Sequence, residues 1–253
     1  MIDQARFSAE YSFALRVLSY YERLIPPHAE ASADPDLGGS LLFAGELDED
    51  GRALIVASNI AGAASLCATQ DEQAQKQAIR DGIVDFLVTS LDEAVRILKN
   101  EIRKRAPVAV CIGAPPAQIE SQMSERGVAP DVLRPSDADE RNTGALPDDV
   151  ALVSWSVSST PARWMPKLDA FALNCAGDLP ESTRRWLRTS PRYLGRQAQS
   201  IHLVLADRTF ANRFMEDAMA LEGGGIPLKL QVSYRGGCEE FNSPLWNKDD
   251  SSS

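Results

Sequence analysis

Apolar residues recur at three- and four-residue steps near the start of the chain. Phe7, Tyr11, Ala14, Leu15, Leu18, Tyr21 and Ile25 fall on one face of a predicted helix over 7–25. Pro26-Pro27 stops it, and the polar, small-residue stretch 28–39 leads away. From Leu41 onward the pattern changes to short apolar runs separated by polar ones. Leu41–Ala44, Ala63–Thr69, Val84–Val88, Val108–Ile112 and Val132-Leu133 read as buried strands. Between them, Arg52–Ile60 reads as a helix or a strand, and Glu72–Asp81 as a polar helix ended by Gly82. A third helix runs from the capping-box pattern Ser90 to Glu93 as far as about Arg105. A fourth spans Pro116–Arg126 and is closed by Gly127.

This alternation predicts an α/β fold, a doubly wound and mostly parallel sheet with helices on both faces. After an acidic, loop-like stretch over 134–149, residues 150–159 read as a strand, with Thr160 as N-cap and Pro161 as first helical residue. Helices are expected near 161–173, 181–189 and 209–221, and a strand at Ile201–Leu205. Gly223–Gly225 reads as a hinge, Leu228–Tyr234 alternates as an exposed edge strand would, and NKDDSSS reads as a disordered tail. The expected organisation is a leading helix and connector (1–35), an α/β domain (36–149) and a C-terminal α/β extension (150–253). That last part either continues the first sheet or forms a small lobe.

Composition narrows the function classes. With 253 residues, 44% hydrophobic and 25% charged, the chain has the make-up of a globular protein with a real core. A net charge of −10 repels phosphate backbones and argues against nucleic acid as a partner. No apolar run reaches the ~18 residues of a membrane span. The start lacks a basic and then apolar leader pattern, so the cytoplasm is the expected compartment. Cys67, Cys111, Cys175 and Cys238 are widely spaced, and His28 and His202 are the only histidines, a poor set for zinc. The thiols read as reduced, with Cys67 and Cys111 inside strands.

The most informative short stretch is GELDEDGR, Gly45–Arg52, between two apolar runs. It reads as a solvated acidic βα turn or, since Asp50-Gly51 is a hairpin signal, a β-hairpin turn. The functional alternatives are an altered anion loop and a carboxylate loop for a cation, for which ELDEDG has poorly spaced ligands. Gly113-Ala114-Pro115-Pro116 follows a strand and precedes a helix, where open α/β sheets hold ligands, though glycine and proline also simply turn a chain. RRWLRTSPRYLGR (184–196) is a basic, aromatic patch, read as a helix with snorkelling arginines that pair with the 134–149 acids, the functional alternative being a site for an acidic ligand or a partner's acidic face. His202 lies in an apolar strand and is expected to bond to backbone. Cys238 lacks a nearby base and reads as a structural thiol. Trp155 and Trp164 read as core.

Residues 36–133 resemble the central dinucleotide-binding domain of urocanase, a Rossmann-like fold. That family carries an apolar strand, Gly-Leu-Gly-Gly-Met-Gly-Gly, a helix ending Met-Ala-Gly, and a further strand. Here the equivalent of the loop is Glu46-Leu47-Asp48-Glu49-Asp50-Gly51-Arg52, followed by ALIVASNIAG and AASLCATQD. The likeness continues through DEQAQKQAIRDGIVD, SLDEAVRIL and PVAVCIGAPPAQIESQMSERGVAPDV. By the resemblance, the cofactor positions are Gly45, Leu47, Asp48, Gly51, Thr69, Gly113 and Ala114.

The departures fall on that machinery. Of five loop glycines only Gly51 remains, and Glu46, Asp48, Glu49 and Asp50 bring four carboxylates. Each carboxylate beside a phosphate at 4–6 Å costs about 1 kcal/mol even in water-like screening. Thr69 stands where an acid would hold a ribose hydroxyl, with Asp71 two residues on. The family's Thr-Asp-Gln-Thr-Ser run is Arg134-Pro135-Ser136-Asp137-Ala138, and its Gly-Asn turn is Ala114-Pro115. The flanking domains are not recognisable, and no catalytic residue can be carried over. The expectation is a divergent or non-catalytic ligand-binding or assembly module with a degenerate NAD loop. An NAD-binding hydro-lyase and a phosphosugar or other small-molecule binder are the alternatives. The resemblance also implies a homodimer.

Overall fold

The computed structural model describes residues 4–25, 36–134, 148–220 and 226–246. The expected Pro26-Pro27 stop, most of the connector, most of the acidic stretch, the Gly223–Gly225 hinge and the tail lie outside them. The chain divides into two compact units, Arg16–Asp139 and Met1–Leu15 with Glu140–Ser253. Helix α1 (Gln4–Leu24) contributes its first residues to the second of these and the rest to the first.

The unit Arg16–Asp139 is built on a five-stranded sheet. Its elements run β1 (Leu41–Glu46), α2 (Glu49–Ala61), β2 (Ala64–Ala68), α3 (Glu72–Asp81), β3 (Phe86–Val88), α4 (Leu91–Lys104), β4 (Val108–Ile112), α5 (Pro116–Glu125) and β5 (Val132–Leu133). The strand order is β3-β4-β2-β1-β5, and every pairing is parallel. Right-handed crossovers put α2 and α3 on one face and α4 and α5 on the other, because the chain moves outward twice and then returns. Leu41, Phe43, Leu66, Val110 and Ile112 accordingly pack with Leu91, Leu98, Ile119 and Met123 of α4 and α5. The alternate strand positions, among them Leu42, Cys67 and Cys111, are buried on the α2 face.

The segment written as helix or strand is helix. Asp48 caps it, Gly62 ends it in the left-handed region with φ 94°, and ten of its thirteen residues are buried. The hairpin reading of Asp50-Gly51 is thereby overturned, since both lie in the first turn of α2. Asp71 caps α3, and the Ser90 hydroxyl accepts from the Glu93 amide at the start of α4. Two aspartates tie down the edges of the sheet. Asp85 accepts from the Ala109 amide (2.8 Å) and donates its own amide to the Ala109 carbonyl (2.9 Å). Asp131 does the same with Leu41, at 2.8 Å in both directions.

The other unit holds a separate antiparallel sheet, so the C-terminal part does not extend the first one. β6 (Val150–Val157), α6 (Pro161–Cys175), α7 (Glu181–Leu194), β7 (Ile201–Asp207), α8 (Arg208–Ala220), β8 (Leu228–Tyr234) and β9 (Gly237–Asn242) follow in order. The sheet order is β7-β6-β8-β9. β8 is therefore interior rather than an edge strand. The polar residues of β9, Gly237–Asn242, hid the true edge, which a two-residue Arg235-Gly236 turn folds back. Pro161 begins α6 as expected, but Thr160 sits at φ 48° and its hydroxyl caps nothing. Trp155, Phe210 and Phe214 form the aromatic core, with Trp155 and Phe214 5.2 Å apart. Glu10 of α1 is buried and accepts from the Ser200 amide at 2.9 Å and from the Ser200 hydroxyl, fastening α1 to this sheet.

Glu22 is a second acid on α1, and burial pushes its carboxyl up from 4.5 to about 7. The folded chain therefore holds a proton that the unfolded chain releases, and stability falls as pH rises from about 4.5 through 7. Glu22→Gln is expected to raise the urea midpoint at pH 8 and leave it nearly unchanged at pH 4.5. Equal effects at the two pH values would contradict this.

Candidate functional site

The β1–α2 junction holds four of the expected positions. Gly45 sits at φ 71°, where β1 slips one residue against β2, so that Phe43 pairs with Leu66 and Gly45 with Cys67. Leu47 is buried behind it. The Asp48 carboxylate then accepts from the Gly51 amide at 2.7 Å. Gly51 itself lies against β1: a Cβ there would stand 2.0 Å from the Glu46 carbonyl oxygen. The retained glycine is therefore the one that lets the helix approach the strand.

The charge of this loop is answered from within the unit. Arg134, just after β5, grips both Asp48 oxygens at 3.1 Å each and reaches Asp50 at 3.6 Å. Its Nη1 also lies 3.5 Å from the Glu46 carbonyl. Burial works against the Arg134 charge, while the Asp48 hydrogen bond and charge raise its pKa overall. From the other side Arg16 of α1 meets Glu49 at 2.7 Å and Asp50 at 3.4 Å. The two guanidiniums balance half of the four carboxylates. A pyrophosphate would meet a helix start whose Gly51 amide is already taken and a surface still net negative. Neither arginine was legible as a partner from sequence, because Arg134 lies 86 residues from Asp48.

Thr69, Gly113 and Ala114 gather elsewhere, where the β2–α3 and β4–α5 loops leave neighbouring strands toward opposite faces of the sheet. That is the switch point at which open α/β sheets place ligands. Here its groups bond to one another. Thr69 is buried, its amide donates to the Ile112 carbonyl at 3.1 Å, and its hydroxyl accepts from the Asp71 amide at 3.2 Å. Gln75 of α3 donates to the Thr69 carbonyl at 2.8 Å and lies over Gly113. The Gly113 amide goes to Val88 and the Ala114 amide to Ile112. The Asp71 carboxylate holds the Gln73 and Ala74 amides of α3. The seven expected positions thus form two clusters, one at the β1–α2 turn and one across the β2–α3 and β4–α5 loops, and not a single cradle.

Cys67 and Cys111 pair in register on β2 and β4. The Cys111 thiol beside it and burial push Cys67 well above the ordinary thiol range. Among the described residues no group of three His, Cys, Asp or Glu side chains could hold a metal ion, and no helix is long and apolar enough to cross a membrane. Cys238 is exposed on β9.

In the other unit His202 corrects its expectation. It bonds to a carboxylate, its Nδ1 lying 2.7 Å from Asp169 Oδ1, and not to backbone. Trp155 donates its indole N–H to the same oxygen at 3.0 Å. Asp169 was missed, although an acid following Met165 and Leu168 on the apolar stripe of α6 was a visible signal. The basic patch is α7, as expected of a helix; Arg184 and Arg188 both pair with Glu181 of their own helix, and most of the 134–149 acids expected as partners lie outside the described residues. Trp164 is buried between the Arg163 and Lys167 cations, 4.5 and 4.8 Å from its ring.

A parallel β-sheet doubly wound by helices, with a strand–turn–helix at its centre, defines a Rossmann-like domain. The family model of the urocanase Rossmann-like domain matches residues 21–162, more than half of the chain, and the chain belongs to that family.

Gly51→Ala is expected to destabilise the Arg16–Asp139 unit by about 3 kcal/mol, as overpacking against fixed backbone does. Urea unfolding followed by circular dichroism measures it, and a loss below about 1 kcal/mol would show that the helix–strand approach is not the constraint.

Proposed function

We propose that this chain is a divergent urocanase-family domain that does not take NAD at its β1–α2 turn and serves as a ligand-binding or assembly module. The observation that carries this reading is the Asp48 carboxylate, bonded at once to the Gly51 amide and to Arg134 in a two-pronged pair. A Rossmann-like turn binds a dinucleotide by leaving its helix-start amides open and its backbone bare. Here the amide is capped and the side chains are acidic. Calorimetric titration with NAD is expected to give no saturable heat up to millimolar concentration. Saturable micromolar binding would overturn the reading and favour the hydro-lyase alternative.

The assembly side of the proposal rests on the outer strands of the parallel sheet. Phe86 and Leu87 on β3 are 46% and 41% exposed, and Leu133 on β5 is 63% exposed. A paired partner would cover such an edge. The partner in this proposal is a second copy of the chain. Sedimentation equilibrium at about 10–100 μM is expected to show a dimer that Leu87→Lys dissociates; a monomer across that range would count against it.

A further inference from the structure

Beside the Asp169–His202 pair lies a cavity of about 680 Å³ between α6, α7 and the start of β7. Its size falls within the 300–1,000 Å³ common for small-molecule sites. Met165 and Leu173 of α6 and Leu187 and Pro191 of α7 give it apolar walls. Four polar side chains reach it, those of Asp169, His202, Gln199 and Arg188.

Two of the four already have partners. Asp169 Oδ1 takes both the Trp155 indole and the His202 Nδ1, which leaves Oδ2 without a hydrogen bond among the described residues, and Arg188 pairs with Glu181. His202 and Gln199 differ. Among the described residues no hydrogen bond reaches His202 Nε2 or the Gln199 amide. The His202 side chain is 7% exposed and lines the cavity.

The proton arrangement follows from these bonds. With Nδ1 donating to a carboxylate, a neutral imidazole presents Nε2 as an acceptor. Asp169 fixes the ring, and Trp155 fixes Asp169. A pocket with apolar walls and two adjacent acceptors, His202 Nε2 and Asp169 Oδ2, selects an apolar molecule carrying a hydroxyl or N–H donor. The Gln199 amide offers a further, adaptable hydrogen bond beside them.

We infer that the α6–α7 cavity is a small-molecule binding site in which His202 Nε2, held by Asp169, accepts a hydrogen bond from the hydroxyl of a compact, largely apolar ligand such as a phenol or an apolar alcohol. The site is built from none of the residues of the β1–α2 turn, so it stands whether or not NAD binds there.

Phenol and toluene are the probes, matched in shape and differing by the hydroxyl. The full chain labelled with ¹⁵N-histidine carries only two imidazoles, and His28→Asn assigns the second. Phenol is expected to shift the His202 Nε2 resonance saturably and to bind about fivefold more tightly than toluene, the worth of one net hydrogen bond. Ala170→Trp, at an exposed α6 position on the cavity wall, is expected to abolish the shift while the spectrum remains that of the folded protein. An unmoved His202 signal at saturating phenol, equal binding of toluene, or unchanged phenol binding in folded Ala170→Trp each overturns the inference.

Discussion

The close approach of α2 to the end of β1 is the constraint on which the Arg16–Asp139 unit depends. Ten of thirteen α2 residues are buried, so this helix has almost no surface of its own. It can sit that deep only because nothing projects from Gly51 toward the Glu46 carbonyl. The position of α2 sets where Asp48 caps it, and the cap sets where Arg134 finds its carboxylate. Burial comes first, and the polar arrangement at the turn is fitted around it.

Seen that way, the residues of this unit divide by physical task. Gly51, Gly62, Gly82 and Gly127 permit a close contact or a left-handed helix end. Asp85 and Asp131 fasten edge strands. All serve architecture. Glu46, Asp48, Glu49 and Asp50 crowd carboxylates at the β1–α2 turn. The positive potential of the helix start is answered by Asp48 and its neighbours, and Arg16 and Arg134 restore part of the balance.

Much of the parallel unit was legible because its strands are short apolar runs bounded by glycine, proline and capping residues. Glu72–Asp81, Val108–Ile112 and the Ser90 cap are local signals, and local signals survive folding. The misses were non-local or disguised. Arg52–Ile60 was ambiguous because a helix buried on nearly every side has no polar face to mark its period. β9 went unseen because its glutamates look like loop, and with it the interior place of β8. The partners of Asp48 and His202 come from distant chain segments, which spacing cannot disclose. His202 itself was noticed, but its meaning depended on Asp169.

The aspartate clasps at Asp85 and Asp131 have a directional consequence. Both grip neighbouring strands near their amino ends, at Ala109 and Leu41, while β3 and β5 add only three and two residues beyond. Both clasps thus stitch the same, amino-end hem of the sheet. Without either carboxylate the outer strand beside it would open first from that hem, with faster amide exchange at Ala109 or Leu41.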